Sequence, residues 1–256
     1  MRLRNLLVGF WLVCVVVPVY AAPPMGGAGW KGSLGLGVLW KAEPYKGEDD
    51  TILPIPLINL KYQRFYIQGF TVGYKLIDEL EGSIDIIAQP RLEGYDASDN
   101  VYFEGMEDRD YSMDVGLALN AQFGRVLFNV TAVSDVLGYN DGQEVSASVG
   151  YNFVFGGTGQ SVLRVTPTLG LKWLSANLVD YYYGVRAEEA RLDRPQYTGD
   201  AGFNGTVGVM ANYFFTTHSG ISAGIQYEAF GNEIADSPLL EKDYSLRVFA
   251  GYSWMF

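Results

Sequence analysis

Apolar and polar positions alternate with period two over long stretches of this chain. Val145, Ala147, Val149, Tyr151, Phe153 and Phe155 share one face, and Glu144, Ser146, Ser148, Gly150 and Asn152 share the other. Segments 162–173, 111–122 and 221–229 repeat the pattern. Such alternation places successive side chains on opposite faces of a β-strand. Strands of soluble sandwiches average about five or six residues, whereas a strand crossing a bilayer needs ~9–11. The runs here reach that longer class, and no later segment offers the ~20 apolar residues of a spanning helix. The pattern therefore predicts an all-β chain, a transmembrane antiparallel up-and-down β-barrel of about twelve strands.

The strands are expected near 30–41, 52–62, 64–76, 82–94, 111–122, 125–134, 143–155, 161–173, 178–186, 203–215, 220–230 and 244–256. Turn signals fall at Phe123-Gly124, Gly156-Gly157 and Ser219-Gly220. An even count returns both termini to the periplasm. It also puts segment 95–110 and the turn around His218 on the periplasmic side, although periplasmic turns are usually short. In the strand at 52–62, Pro54 and Pro56 each remove a ladder donor.

The ends of the chain fit an exported barrel. Arg2 and Arg4 precede an apolar run from Leu6 to Val17, and small residues follow. That layout reads as a signal peptide over 1–21, cleaved after Ala21, with the barrel domain at 22–256. The sole cysteine, Cys14, lies within the apolar run. At the other end, Tyr244 to Phe256 alternates to the last residue, and Gly251, Trp254 and Phe256 match the assembly signal of outer-membrane barrels. Phe249 occupies a position on the inward face where a polar residue is usual.

Composition narrows the function. A net charge of −11 without a basic patch argues against a nucleic-acid partner. One cysteine and one histidine leave no basis for a disulfide framework or a multi-histidine metal centre, and no cofactor is expected. The chain has 18 tyrosines, 14 phenylalanines, 5 tryptophans and 31 glycines. Aromatics near strand ends suit the headgroup level of a membrane, and glycines suit turns and a crowded lumen.

Several segments taken in order resemble the MipA/OmpV family of Gram-negative outer-membrane proteins. They are Pro44-Tyr45-Lys46-Gly47 with Asp49-Asp50, Leu53-Pro54-Ile55-Pro56 leading to Tyr62 and Arg64-Phe65-Tyr66, and Gly105-Met106 with Asp108-Arg109. Asp180-Tyr181-Tyr182-Tyr183-Gly184-Val185 with Glu189-Ala190, and Ser237-Pro238-Leu239, complete the set. The resemblance implies an outer-membrane location in contact with lipid. It also implies a scaffold joining a murein lytic transglycosylase to a bifunctional penicillin-binding protein. Tyr45, Gly47, Asp180, Tyr181, Tyr182, Tyr183, Gly184 and Glu189 are the residues it nominates for interaction.

Other chemistry is sparse. His218 is the one histidine able to serve as a base, and adjacent Ser219 would point away from it on a strand. Catalysis is therefore not expected. Seven acids between Glu93 and Asp110 face Arg109 alone but lack the D-x-D-x-D-G spacing of a calcium loop. They read as a solvated loop, or as an acidic docking surface if periplasmic. Arg186, Arg191 and Arg194 among Glu188, Glu189 and Asp193 read as a salt-bridged surface loop. Arg125, Arg164, Lys172 and Arg247 are expected in the lumen with Asp114, Glu144 and Glu228. Mixed signs there favour internal pairing over a selective pore, leaving a narrow porin or small-solute-binding barrel as the alternative to a scaffold.

Overall fold

A computed structural model describes residues 29–156 and 161–256; the signal peptide expected at 1–21 lies outside them. The strands are β1 (Lys31–Ala42), β2 (Thr51–Tyr62), β3 (Phe65–Gln68), β4 (Thr71–Glu79), β5 (Gly82–Arg91), β6 (Ser112–Phe123), β7 (Val126–Asp135), β8 (Gln143–Tyr151), β9 (Phe153–Phe155), β10 (Val162–Leu174), β11 (Gly202–Phe214), β12 (Ser219–Ala229) and β13 (Tyr244–Met255). Two short helices, α1 (Ala176–Tyr183) and α2 (Asn232–Ala235), lie between strands. Each strand pairs antiparallel with its chain neighbours, and β1 pairs with β13 from Ser33↔Met255 to Ala42↔Leu246, so the sheet closes on itself. β8 and β9 are one strand interrupted at Asn152, and both pair with β10. The wall therefore has twelve staves.

That number agrees with the sequence, but two differences offset each other. The stretch expected as one strand over 64–76 is a hairpin, β3 and β4, turning at Gly69-Phe70. The strand expected over 178–186 is instead helix α1 and the loop after it. Leu178, Val179, Tyr182 and Tyr183 are buried, a spacing of one, three and four residues that suits one helix face and not a strand. The strand expected to reach residue 94 ends at Arg91.

The extra hairpin changes the side on which the next loops lie. Segments 43–50, 92–111, 136–142, 175–201 and 230–243 all emerge from one end of the barrel, opposite the two chain ends. The turns at 63–64, 80–81, 124–125 and 215–218 lie at the other end, with Gly156 and Ser161. Long loops of outer-membrane barrels are extracellular and short turns periplasmic. Segment 95–110 is therefore extracellular, which removes it as a docking surface for a periplasmic partner. The His218 turn is on the short-turn side, as the count had it.

Apolar side chains point to the bilayer, with Leu36, Leu117, Leu169 and Ile225 among the most exposed. Exposed aromatics concentrate at the short-turn end, where Phe65, Phe123, Phe155, Phe215, Trp254 and Phe256 ring the rim. Inside, two aromatic rings press closely against glycines. A Cβ on Gly224 would sit 2.4 Å from the Phe249 ring, and one on Gly73 would sit 2.1 Å from that of Tyr66. Phe249 thus faces the lumen over Gly224 and packs with Leu39, Leu53 and Ile55, which accounts for an aromatic at that position.

The sidedness is open to test by cysteine labelling. In a chain with Cys14 replaced, a cysteine at Val101 is expected to react with a membrane-impermeant maleimide on intact cells. A cysteine at Leu80 should react only after the outer membrane is permeabilised. The reverse pattern would invert the barrel.

Candidate functional site: a capped lumen

The long loops fold over one mouth of the barrel as a packed cap. Helix α1 supplies its centre, following Ser175 at the N-cap position. Tyr45, Phe103, Leu178, Tyr182, Tyr183, Ile234 and Leu239, from four different loops, form one buried apolar cluster. Tyr45 stacks on Tyr183 at 6.0 Å, and Tyr95 on Phe103 at 4.4 Å. The Tyr45 hydroxyl donates to the Tyr182 carbonyl at 3.2 Å, and the Ser237 hydroxyl donates to the Tyr183 carbonyl at 2.6 Å. Burying several hundred Å² of aromatic surface in this way stabilises the cap by several kcal/mol.

The residues nominated by family resemblance all fall in this cap. Gly47 has φ +75°, and a Cβ there would come within 2.8 Å of the Asn100 amide. That amide bridges two loops by donating to the Lys46 carbonyl at 2.7 Å and to Glu48 Oε1 at 3.0 Å. Asp180 Oδ1 accepts from the Gly199 amide at 2.9 Å, and the Gly184 amide donates back to the Asp180 carbonyl at 2.9 Å. Tyr181 uses its hydroxyl to accept from the Asp110 amide at 2.9 Å. Glu189 is buried and accepts from the Glu107 and Arg186 amides, both at 3.0 Å, and from Arg109 Nη2 at 2.9 Å. Arg109 also donates from Nε to the Tyr181 carbonyl at 2.7 Å.

Two expectations about these loops are corrected. The acidic segment is not simply solvated, because Arg109 and Asn100 are buried within it and tie it to the rest of the cap. Arg194 is not part of a surface ion-pair network. It is fully buried, and its guanidinium donates to the main-chain carbonyls of Tyr102, Glu104 and Glu189.

Beneath the cap the lumen is crossed by buried ion pairs. Arg91 contacts Asp114 at 2.5 Å and Glu144 at 3.3 Å. Lys172 contacts Glu228 at 2.7 Å, and Asn204 Nδ2 donates to the other Glu228 oxygen at 2.8 Å. Charges removed from water need such partners. Lys172, Asp114, Glu144, Glu228 and Arg247 are inside as expected, but Arg125 is exposed in a short turn. Sequence reasoning missed Arg91, the cation that holds two of these carboxylates. Its signal was legible: Ser83, Asp85, Ile87, Gln89 and Arg91 share one face of β5, opposite Ile84, Ile86 and Ala88.

Toward the short-turn end the lumen holds an open cup of about 670 Å³. Asn59, Gln68, Asn120 and Asn129 line it with Tyr66 and Ser148, and Lys61, Lys75 and Asp78 stand at its rim. His218 lies outside this cup, exposed in its turn, with Nδ1 2.9 Å from Thr217 Oγ1 and its ring stacked on Trp254. The Ser219 hydroxyl pairs with Thr216 Oγ1 at 2.6 Å instead of with His218.

Truncating Arg91 to alanine strands two buried carboxylates and is expected to cost about 3–5 kcal/mol in urea unfolding from lipid vesicles. Removing Arg186 from its exposed pair with Glu107 should cost under about 1 kcal/mol; equal losses would contradict the buried floor. Burial raises the Glu189 carboxyl, but the Glu107 amide, Arg109 and the Arg186 amide outweigh it and hold its pKa below the ordinary 4.5. Its contribution is therefore complete above that value and lost as pH falls through the lower folded-state value. The melting temperature should drop on acidification below pH 4.5, and less so in Glu189→Gln. An identical pH dependence in both proteins would remove Glu189 as the cause.

Comparison with known proteins follows the architecture. YiaT of Escherichia coli (strain K12) is 28% identical over 247 residues, covering 94% of this chain and 98% of YiaT. The MltA-interacting protein of the same organism is 29% identical over 231 residues, covering 88% of this chain and 90% of that protein. A solved outer membrane channel from Pseudomonas putida F1 aligns over 93% of this chain and 98% of its own, at 12% identity and a TM-score of 0.42. The family model described as MltA-interacting protein MipA matches residues 34–256. With nearly every strand and the whole cap inside that match, the chain is an outer-membrane β-barrel belonging to the MipA family.

Proposed function

We propose that this barrel is a non-catalytic scaffold that links murein-remodelling enzymes, a lytic transglycosylase and a bifunctional penicillin-binding protein, at the inner face of the outer membrane. The observation that carries the reading is the likeness over 88% of the chain to a relative named for interacting with MltA. The geometry supports it. The outward mouth is filled by the cap, so the face offered to periplasmic partners is the short-turn end. There Leu80 is fully exposed between Glu79 and Glu81, an apolar handle at the tip of a tight turn. The lone His218 has no geometry for activating Ser219, which favours a role without catalysis. A narrow porin is less well supported, because the cap and the Arg91 and Lys172 ion pairs lie across the lumen.

Tyr45, Tyr182, Tyr183 and Glu189 are buried, so on this reading they serve a partner only indirectly, by holding the cap. Gly251, Trp254 and Phe256 act earlier, as the recognition signal for barrel assembly. Trp254 and Phe256 project outward about half exposed at the short-turn end, where a last strand can be read before it closes against β1.

A photo-crosslinker at Leu80 in cells at native expression is expected to capture a murein lytic transglycosylase, and one at Val101 is not. Recovery of no murein enzyme from Leu80, Gln63 or Thr217 would sink the scaffold role and leave the barrel intact.

A further inference from the structure

The barrel wall is not paired along its whole length. On β2 the last residue opposite a β3 partner is Asn59, facing Gln68, so 51–58 are paired on the β1 side alone. On β5 the last residue opposite β4 is Ala88, facing Val72, and Gln89, Pro90 and Arg91 continue beyond it. Because β3 has only four residues, a notch remains between these rims, floored by the Gly69-Phe70 turn.

Proline lines both rims with its missing donor toward the gap. The Ile58 carbonyl accepts from the Gly69 amide at 2.7 Å, so even-numbered residues of β2 aim their backbone groups at the notch. Pro54 and Pro56 are therefore on the open side. On β5, Pro90 faces Met113, whose carbonyl accepts from Val136 on the far side. Pro90 thus also aims away from β6 and into the gap. An unpaired amide costs several kcal/mol in lipid, and at these three positions there is none to leave unpaired. The same substitution makes the edge a poor template for an added strand.

The notch lies at membrane depth. Pro56 is level with Leu36 and Pro54 with Val38, which are 73% and 54% exposed to the bilayer. It opens in the half of the wall nearest the long loops, the outer half. Behind it is a cavity of about 250 Å³, lined by Ile55, Leu57 and Phe249 from the lumen and by Ile58, Phe70 and Pro90 from the wall. This space shares Asn59, Gln68, Asn120 and Asn129 with the cup. An apolar opening in the bilayer thus leads into a chamber lined by amides, with Glu144 and Lys172 also lining the cavity and Lys61, Lys75 and Asp78 at the rim of the cup, which is open to the periplasm.

We propose that the notch is a side entrance that admits one acyl chain of a bilayer phospholipid, whose polar end rests among the amides of the cup. The inference is independent of the scaffold reading and concerns a different face of the barrel. The test uses the full-length mature barrel in phosphatidylethanolamine vesicles that contain a phospholipid with a diazirine on its acyl chain. After photolysis, adducts are expected on inward-facing Ile55, Leu57 and Phe249 as well as on outward-facing Leu36 and Leu117. Thr71→Trp, which places a large ring in the notch, should abolish the inward adducts and leave the outward ones. Adducts confined to outward-facing residues in the unaltered protein would overturn the proposal. So would an efficient disulfide between two copies carrying Pro54→Cys, since the notch would then be a subunit interface.

Discussion

A bilayer offers no water to the peptide group, so every amide and carbonyl in the spanning region needs a partner within the wall. The rest of this structure depends on that constraint. It forces β13 back onto β1 over ten consecutive residue pairs and makes the strand count even. It also explains where proline is tolerated. Within β2 and β5, Pro54, Pro56 and Pro90 stand where a neighbouring strand is missing, and there the loss of a donor removes a penalty.

Closure creates an interior that must be filled or solvated. The chain does both, in layers. Phe249 and Tyr66 fill the middle by pressing against Gly224 and Gly73, a contact that no side chain at either glycine would permit. Nearer the long loops, Arg91 and Lys172 neutralise Asp114, Glu144 and Glu228. The pairs gain little net stability against an apolar core of the same shape, but breaking one is costly. The floor is therefore costly to break without being a large source of net stability.

Above this floor the long loops behave as a small folded layer with their own apolar core. Its residues come from loops far apart in the chain, and the barrel wall brings them together. The family segments around Tyr45, Asp180 to Val185 and Ser237 meet there, so much of what makes the sequence recognisable as MipA-like is the chemistry of shutting one mouth. The open mouth carries fewer such residues. The short-turn side is built of tight turns and rim side chains, where a sequence pattern has little to hold.

Period-two alternation, the aromatic rim and the terminal strand were readable in the chain because each is a local consequence of the lipid–lumen boundary. Those features determined an outer-membrane β-barrel, although its count of twelve came from two offsetting differences, and the face assignment of Asp114, Glu144, Lys172 and Glu228 followed from them. The segment Ala176–Tyr183 has the sequence character of a strand because a run of tyrosines has high β propensity, and only the cap's core selects the helical face of Leu178, Val179, Tyr182 and Tyr183. The hairpin at Gly69-Phe70 was missed because a short alternating segment is the same on both sides of such a turn. That one turn reversed the side of the acidic loop. The sequence by itself determined which face of each long alternating strand meets lipid, since that depends on neighbours two positions apart. Tertiary structure alone decided which mouth is closed and where the wall is open, since those depend on pairing between strands distant in the chain.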